Sequence, residues 1–158
     1  MKVVDCVNRP FHIIDVPEEL PPYYSERFRV PFKSAQDVYA AVGFVLEAVQ
    51  EWEDEYRDYL SMKTGESKTG TPLTLGTLTE MLRECNDIDG NQLASIHKVV
   101  CARNKFVHTA LVSSSISVDL EQTREQLNYF LFAVYECRDL VANLADGGNR
   151  PTMFTEED

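Results

Sequence analysis

The stretch VYAAVGFVLEAVQEWEDEYRDYL, Val38 to Leu60, decides the fold. Val38, Val42, Val45, Leu46, Val49, Trp52, Tyr56 and Leu60 recur at helical spacing, while Glu47, Glu51, Asp54, Glu55 and Asp58 fall on the opposite side. A stripe of that width against a charged back predicts an amphipathic helix. It starts near Ser34, where Ser34 and Asp37 have capping-box spacing, and fades near Lys63-Thr64-Gly65. The acidic face reads as a solvated surface.

Outward from this helix the pattern repeats three times. After a polar, glycine-containing loop at Glu66 to Pro72, a shorter helix is expected from about Leu75 to Asn86, with Leu75, Leu78, Met81 and Leu82 inward. Asp89-Gly90 signals a turn. A third helix is expected from about Asn91 to Val107, with Leu93, Ile96, Val100 and Val107 buried and Val99 and Phe106 flanking. Thr109 to Ser117, with serines at 113, 114, 115 and 117, reads as a linker. The fourth helix starts near Asp119, with Gln122 at capping-box spacing, and carries Leu120, Leu127, Phe130, Leu131, Val134, Val141 and Leu144. Gly147-Gly148 and Pro151 end it. The expected fold is all-α, a four-helix up-and-down bundle in which helices one and four form the spine and the shorter pair packs at one end.

Three segments follow. Residues 1–33 form an extended proline-rich N-terminal arm, punctuated by Pro10, Pro17, Pro21, Pro22 and Pro31. It is expected to pack on the bundle or on a second subunit. Phe11 to Val16 is expected as a short strand, pairing with Lys2 to Cys6. Pro21-Pro22-Tyr23-Tyr24 matches the PPxY pattern of WW-domain ligands, but a rigid connector explains it better. Residues 34–148 form the bundle and 149–158 an acidic tail.

The totals fit one domain. A chain of 158 residues can bury roughly two-thirds of its unfolded surface without staples. No apolar run approaches the ~20 residues that span a bilayer. The N-terminus lacks the apolar stretch of a signal peptide, so a cytoplasmic protein is expected. Cys6, Cys85, Cys101 and Cys137 are widely spaced, which fits reduced thiols better than a disulfide scaffold or a zinc site. His97 and Cys101 stand four apart but lack a second half-site, so no metal and no cofactor are expected. The net charge of −11 argues against broad electrostatic coating of nucleic acid. It leaves room for a small basic cleft, where the local field decides.

The chemistry-bearing segment is Cys101-Ala102-Arg103-Asn104-Lys105-Phe106-Val107-His108-Thr109. Arg103 can grip a phosphate through two parallel hydrogen bonds. His108 can move a proton near neutral pH. RNA cleavage without metal needs both functions: the 2′-oxygen loses a proton, the leaving 5′-oxygen gains one, and phosphoryl charge must be held. Five helical residues rotate about 140°. The two side chains therefore converge only if the helix ends near Val107. A structural alternative stands beside this: Arg103 bonding helix carbonyls or Glu80 or Glu84, with His108 as a cap.

Arg103, Asn104 and His108, at the end of the third of four helices, resemble the HEPN superfamily of helical-bundle ribonucleases. Its signature is Arg, a polar residue, three to five further residues, then His. The resemblance covers about residues 34 to 145 and implies a homodimer with a composite site of two arginines and two histidines. It implies RNA as substrate, cleaved to a 2′,3′-cyclic phosphate and a 5′-hydroxyl, in a toxin–antitoxin or phage-defence setting with a possible antitoxin partner. Arg103 would then hold the scissile phosphate, His108 would act in proton transfer, and Asn104 would orient one of them or hydrogen-bond the phosphate. Lys105, outside the signature, would add positive charge for substrate binding. The competing expectations are a non-catalytic HEPN-like module that binds a protein partner or a nucleotide, and an assembly scaffold using the acidic face of helix one.

Overall fold

The computed structural model describes residues 12–21, 24, 35–65, 74–112 and 120–145. Expectations for Lys2 to Cys6, the Ser34 cap, the 66–72 loop, the serines at 113–117, Asp119, the Gly147-Gly148 terminator and the acidic tail lie outside those residues. So does most of the PPxY match.

Four helices account for most of the described chain: α1 (Ala35–Thr64), α2 (Leu75–Glu84), α3 (Gly90–Val112) and α4 (Leu120–Ala145). Among the described residues there is no strand. The main contacts run α1 to α2, α2 to α3, α3 to α4 and α4 back to α1, with α1 against α4 the most extensive. The chain is therefore a helical bundle whose two longest helices form its spine. Only α2 is short: at 23 residues, α3 nearly matches α4.

The core follows the stripes. Trp52, Tyr56 and Leu60 from α1 meet Leu75, Leu78 and Leu82 from α2, Ile96 and Phe106 from α3, and Leu127, Phe130 and Val134 from α4, all essentially inaccessible. Burial of such side chains stabilises by roughly 1.5–3 kcal/mol each. Leu46 departs from expectation and is exposed. At 100° per residue it sits beside the Val45–Val49–Trp52 line, not on it. Phe106, expected at the flank, is fully buried and packs on Phe130 with ring centroids 5.3 Å apart.

Among the described residues the buried Trp52 Nε1 has no hydrogen-bond partner, whereas Thr79 and Tyr56 satisfy each other. The Thr79 hydroxyl donates to the Leu75 carbonyl at 2.7 Å, which leaves its oxygen to accept from the Tyr56 hydroxyl at 3.1 Å. Burial pushes the Tyr56 phenol well above its ordinary range. At the end of α1, Tyr59 donates to Asp87, and Lys63 Nζ lies 3.0 Å from the same carboxylate.

Local signals set the helix ends. Thr74 caps α2 by accepting from the Thr77 N–H at 3.1 Å. Asn86 adopts a left-handed φ of 58° and stops α2. Asp89 and Gln92 form a reciprocal capping box, Gln92 N–H to Asp89 Oδ1 at 2.8 Å and Asp89 N–H to Gln92 Oε1 at 3.0 Å.

The arm corrects one expectation. Residues 12–21 form no strand. Instead, the N–H groups of Ile13 and Ile14 both donate to Gln126 Oε1, at 2.8 and 3.0 Å, and Gln126 Nε2 donates to the Ile14 carbonyl at 2.9 Å. One side-chain amide on α4 satisfies the backbone that a sheet partner was expected to satisfy. Ile13 is buried in the core, so this part of the arm packs on its own bundle. Among the described residues no helix is long and apolar enough to cross a membrane.

Candidate functional site

The residues expected to carry chemistry lie in the C-terminal half of α3. The helix does not stop near Val107 but continues to Val112. Thr109 to Val112 propagates it as far as the run of serines. His108 is thus inside the helix and cannot swing back toward Arg103. The two point about 140° apart, as an uninterrupted helix dictates.

They occupy different environments. Arg103 is on the inner side and 33% exposed, with Nη2 3.8 Å from Glu53 Oε1 on α1. Its acidic neighbour is therefore neither Glu80 nor Glu84; Glu80 is held by Arg83 at 2.9 Å. The same Glu53 side chain lies 3.8 Å from Arg57. Nη1 of Arg103 donates to Asn104 Oδ1 at 3.3 Å, and its Nε is buried with no partner among the described residues. His108, Asn104 and Lys105 are exposed. Asn104 and His108 stand four apart and Lys105 and His108 three apart, so these three share one outer face. Asn104 connects that face to the guanidinium.

Farther toward the N-terminus of α3, the same outer face carries His97, Lys98 and Cys101. His97 Nε2 is 3.9 Å from Glu80 Oε1. Among the described residues no group of three or more histidine, cysteine or acidic side chains is placed to hold a metal ion. His97, Lys98, Cys101 and Lys105 line one wall of a cleft of about 630 Å³. His12 to Pro17 form the facing wall, and Tyr129 and Ala133 of α4 also line it. Sequence reasoning missed this cleft and gave His12 and His97 no role. The available signal was Gln126, a polar residue between apolar positions of α4 whose face it shares.

Comparison with known protein families, with curated proteins and with solved structures yields no match to this chain.

Proposed function

We propose that this chain is a metal-independent endoribonuclease of HEPN type, with its four helices in the up-and-down order of that superfamily. Its setting is a cytoplasmic toxin–antitoxin or phage-defence system, with an antitoxin protein as partner. It attacks RNA through the ribose 2′-hydroxyl and leaves a 2′,3′-cyclic phosphate and a 5′-hydroxyl.

One observation carries the reading: Arg103, Asn104 and His108 stand at signature spacing in the third of the four described helices, with His108, Asn104 and Lys105 exposed on one face. A second copy laid against that face would bring two imidazoles to one phosphodiester. One would act as base on the 2′-hydroxyl and the other as acid to the 5′-oxygen. Arg103 would reach the phosphate by leaving Glu53. That pair is 3.8 Å apart, at the outer limit of an ion pair, and Glu53 keeps Arg57 at 3.8 Å; a bidentate phosphate contact would be shorter.

The test is cleavage of single-stranded RNA in EDTA by the wild type, His108→Ala and Arg103→Ala, each checked by circular dichroism. The expected outcome is EDTA-resistant cleavage that falls by about 10²–10⁴-fold in either variant, the range of one acid–base group. Light scattering should give a homodimer. A monomer, or equal cleavage by wild type and variants, rejects the assignment.

A second reading is favoured by the divergence of Arg103 from His108: a non-catalytic HEPN-like module that binds a protein partner or a nucleotide. It predicts no cleavage by any form and retained association in His108→Ala.

A further inference from the structure

We propose that the cleft between the arm and α3 binds a small phosphate monoester carrying a flat apolar body. This inference does not rest on the ribonuclease reading, although both use Lys105. It rests on the cleft lined by His12 to Pro17 and α3, with a volume of about 630 Å³. That volume is within the range of small-molecule sites.

The charge pattern selects the ligand. The chain carries a net −11, yet Lys98 and Lys105 both line the cleft. Neither has an ion-pair partner among the described residues. They stand seven positions apart, nearly in line along α3 and separated by about 10 Å. Two lysine side chains at that spacing can converge on one group lying over Cys101 and Ala102. Both are exposed, and a monoester at pH 7 carries about −1.5 to −2. A carboxylate would satisfy only one of them. The acidic groups nearby are already engaged: Asp15 accepts from His12 at 3.1 Å, and Glu80 is held by Arg83 and lies 3.9 Å from His97.

The floor accounts for the apolar body. Ile13, Val99, Ala102, Tyr129 and Ala133 are buried residues that also line the cleft. Above that buried floor, Ile14, Val16, Pro17 and Ala94 line the cleft with apolar surface that is half-buried or exposed and open to a ring. The arm wall is held in place by the Gln126 amide, so the site is formed before any ligand arrives and binding carries little ordering cost.

Isothermal titration calorimetry of the full chain tests this with three probes: phenyl phosphate, inorganic phosphate and phenol. Phenyl phosphate should saturate, inorganic phosphate should bind at least tenfold more weakly, and phenol should not bind. Lys98→Gln and Lys105→Gln should each weaken phenyl phosphate by roughly tenfold, the effect of one charged hydrogen bond. Lys63→Gln, outside the cleft, should leave it unchanged. Both cleft lysines are exposed, so neither variant threatens folding, which circular dichroism will verify. No saturation by phenyl phosphate up to about 10 mM overturns the proposal. Equal affinity for inorganic phosphate, or undiminished binding in the two cleft-lysine variants, overturns it as well.

Discussion

Asp87 collects two donors, the Tyr59 hydroxyl and the Lys63 ammonium. The hydrogen bond from Tyr59, and then Lys63, hold its carboxyl below the ordinary 3.8. A carboxylate whose pKa is depressed by folding stabilises the fold above 3.8, and that contribution disappears as pH falls through the lower folded value. Asp87→Asn should therefore flatten the acid limb of a stability profile in that window, measured by urea unfolding at stepped pH. An unchanged acid limb would mean the pair contributes nothing. Burial, followed by Asp87, pushes Tyr59 up, so the same cluster weakens again as pH rises past the ordinary phenol value of 10.0. At this scale the sequence was a partial guide. Arg103 and His108 were singled out by residue type and spacing. That Arg103 faces Glu53, from an element fifty residues earlier in the chain, is a product of tertiary packing and leaves no local trace.

Helix α3 is where element-level reading both succeeded and failed. Its buried stripe was legible in part: Ile96 and Val100 repeat at the helical period and are buried, while Leu93 and Val107 are only half-buried and Val99, expected at the flank, is buried. Its end was misplaced by five residues. The serines downstream suggest a linker, but Thr109-Ala110-Leu111-Val112 ahead of them contains neither glycine nor proline and the helix continues through it. Its start contained an unread signal: Asp89 and Gln92 have the reciprocal spacing of a capping box and form it. Asp89→Ala should cost about 1 kcal/mol of stability, read by chemical denaturation. Asp89→Ser should recover most of that loss, because a hydroxyl can still accept from the Gln92 N–H. If alanine costs nothing, the cap is dispensable.

For the whole molecule, the bundle and its spine were legible because four amphipathic stripes must bury their apolar faces against one another. The docking of the arm was not. Phe11 to Val16 reads as a short strand, yet what holds the backbone of Ile13 and Ile14 is a glutamine 112 residues beyond Ile14 in sequence. Gln126→Leu removes three hydrogen bonds and leaves the buried Ile13 N–H without a partner. The expected cost is about 1–3 kcal/mol, with new protease sensitivity between His12 and Pro17. A variant as resistant as the wild type would show that side-chain burial at Ile13 alone holds the arm.

That clamp also fixes an order of events. The arm leaves the ribosome 112 residues ahead of the α4 amide that receives it. Until α4 has emerged and packed, Ile13 and Ile14 have no native acceptor, and the wall they provide does not exist. Long-range contacts of this kind are late and slow to form, so any recognition that depends on this wall is withheld from nascent and truncated chains.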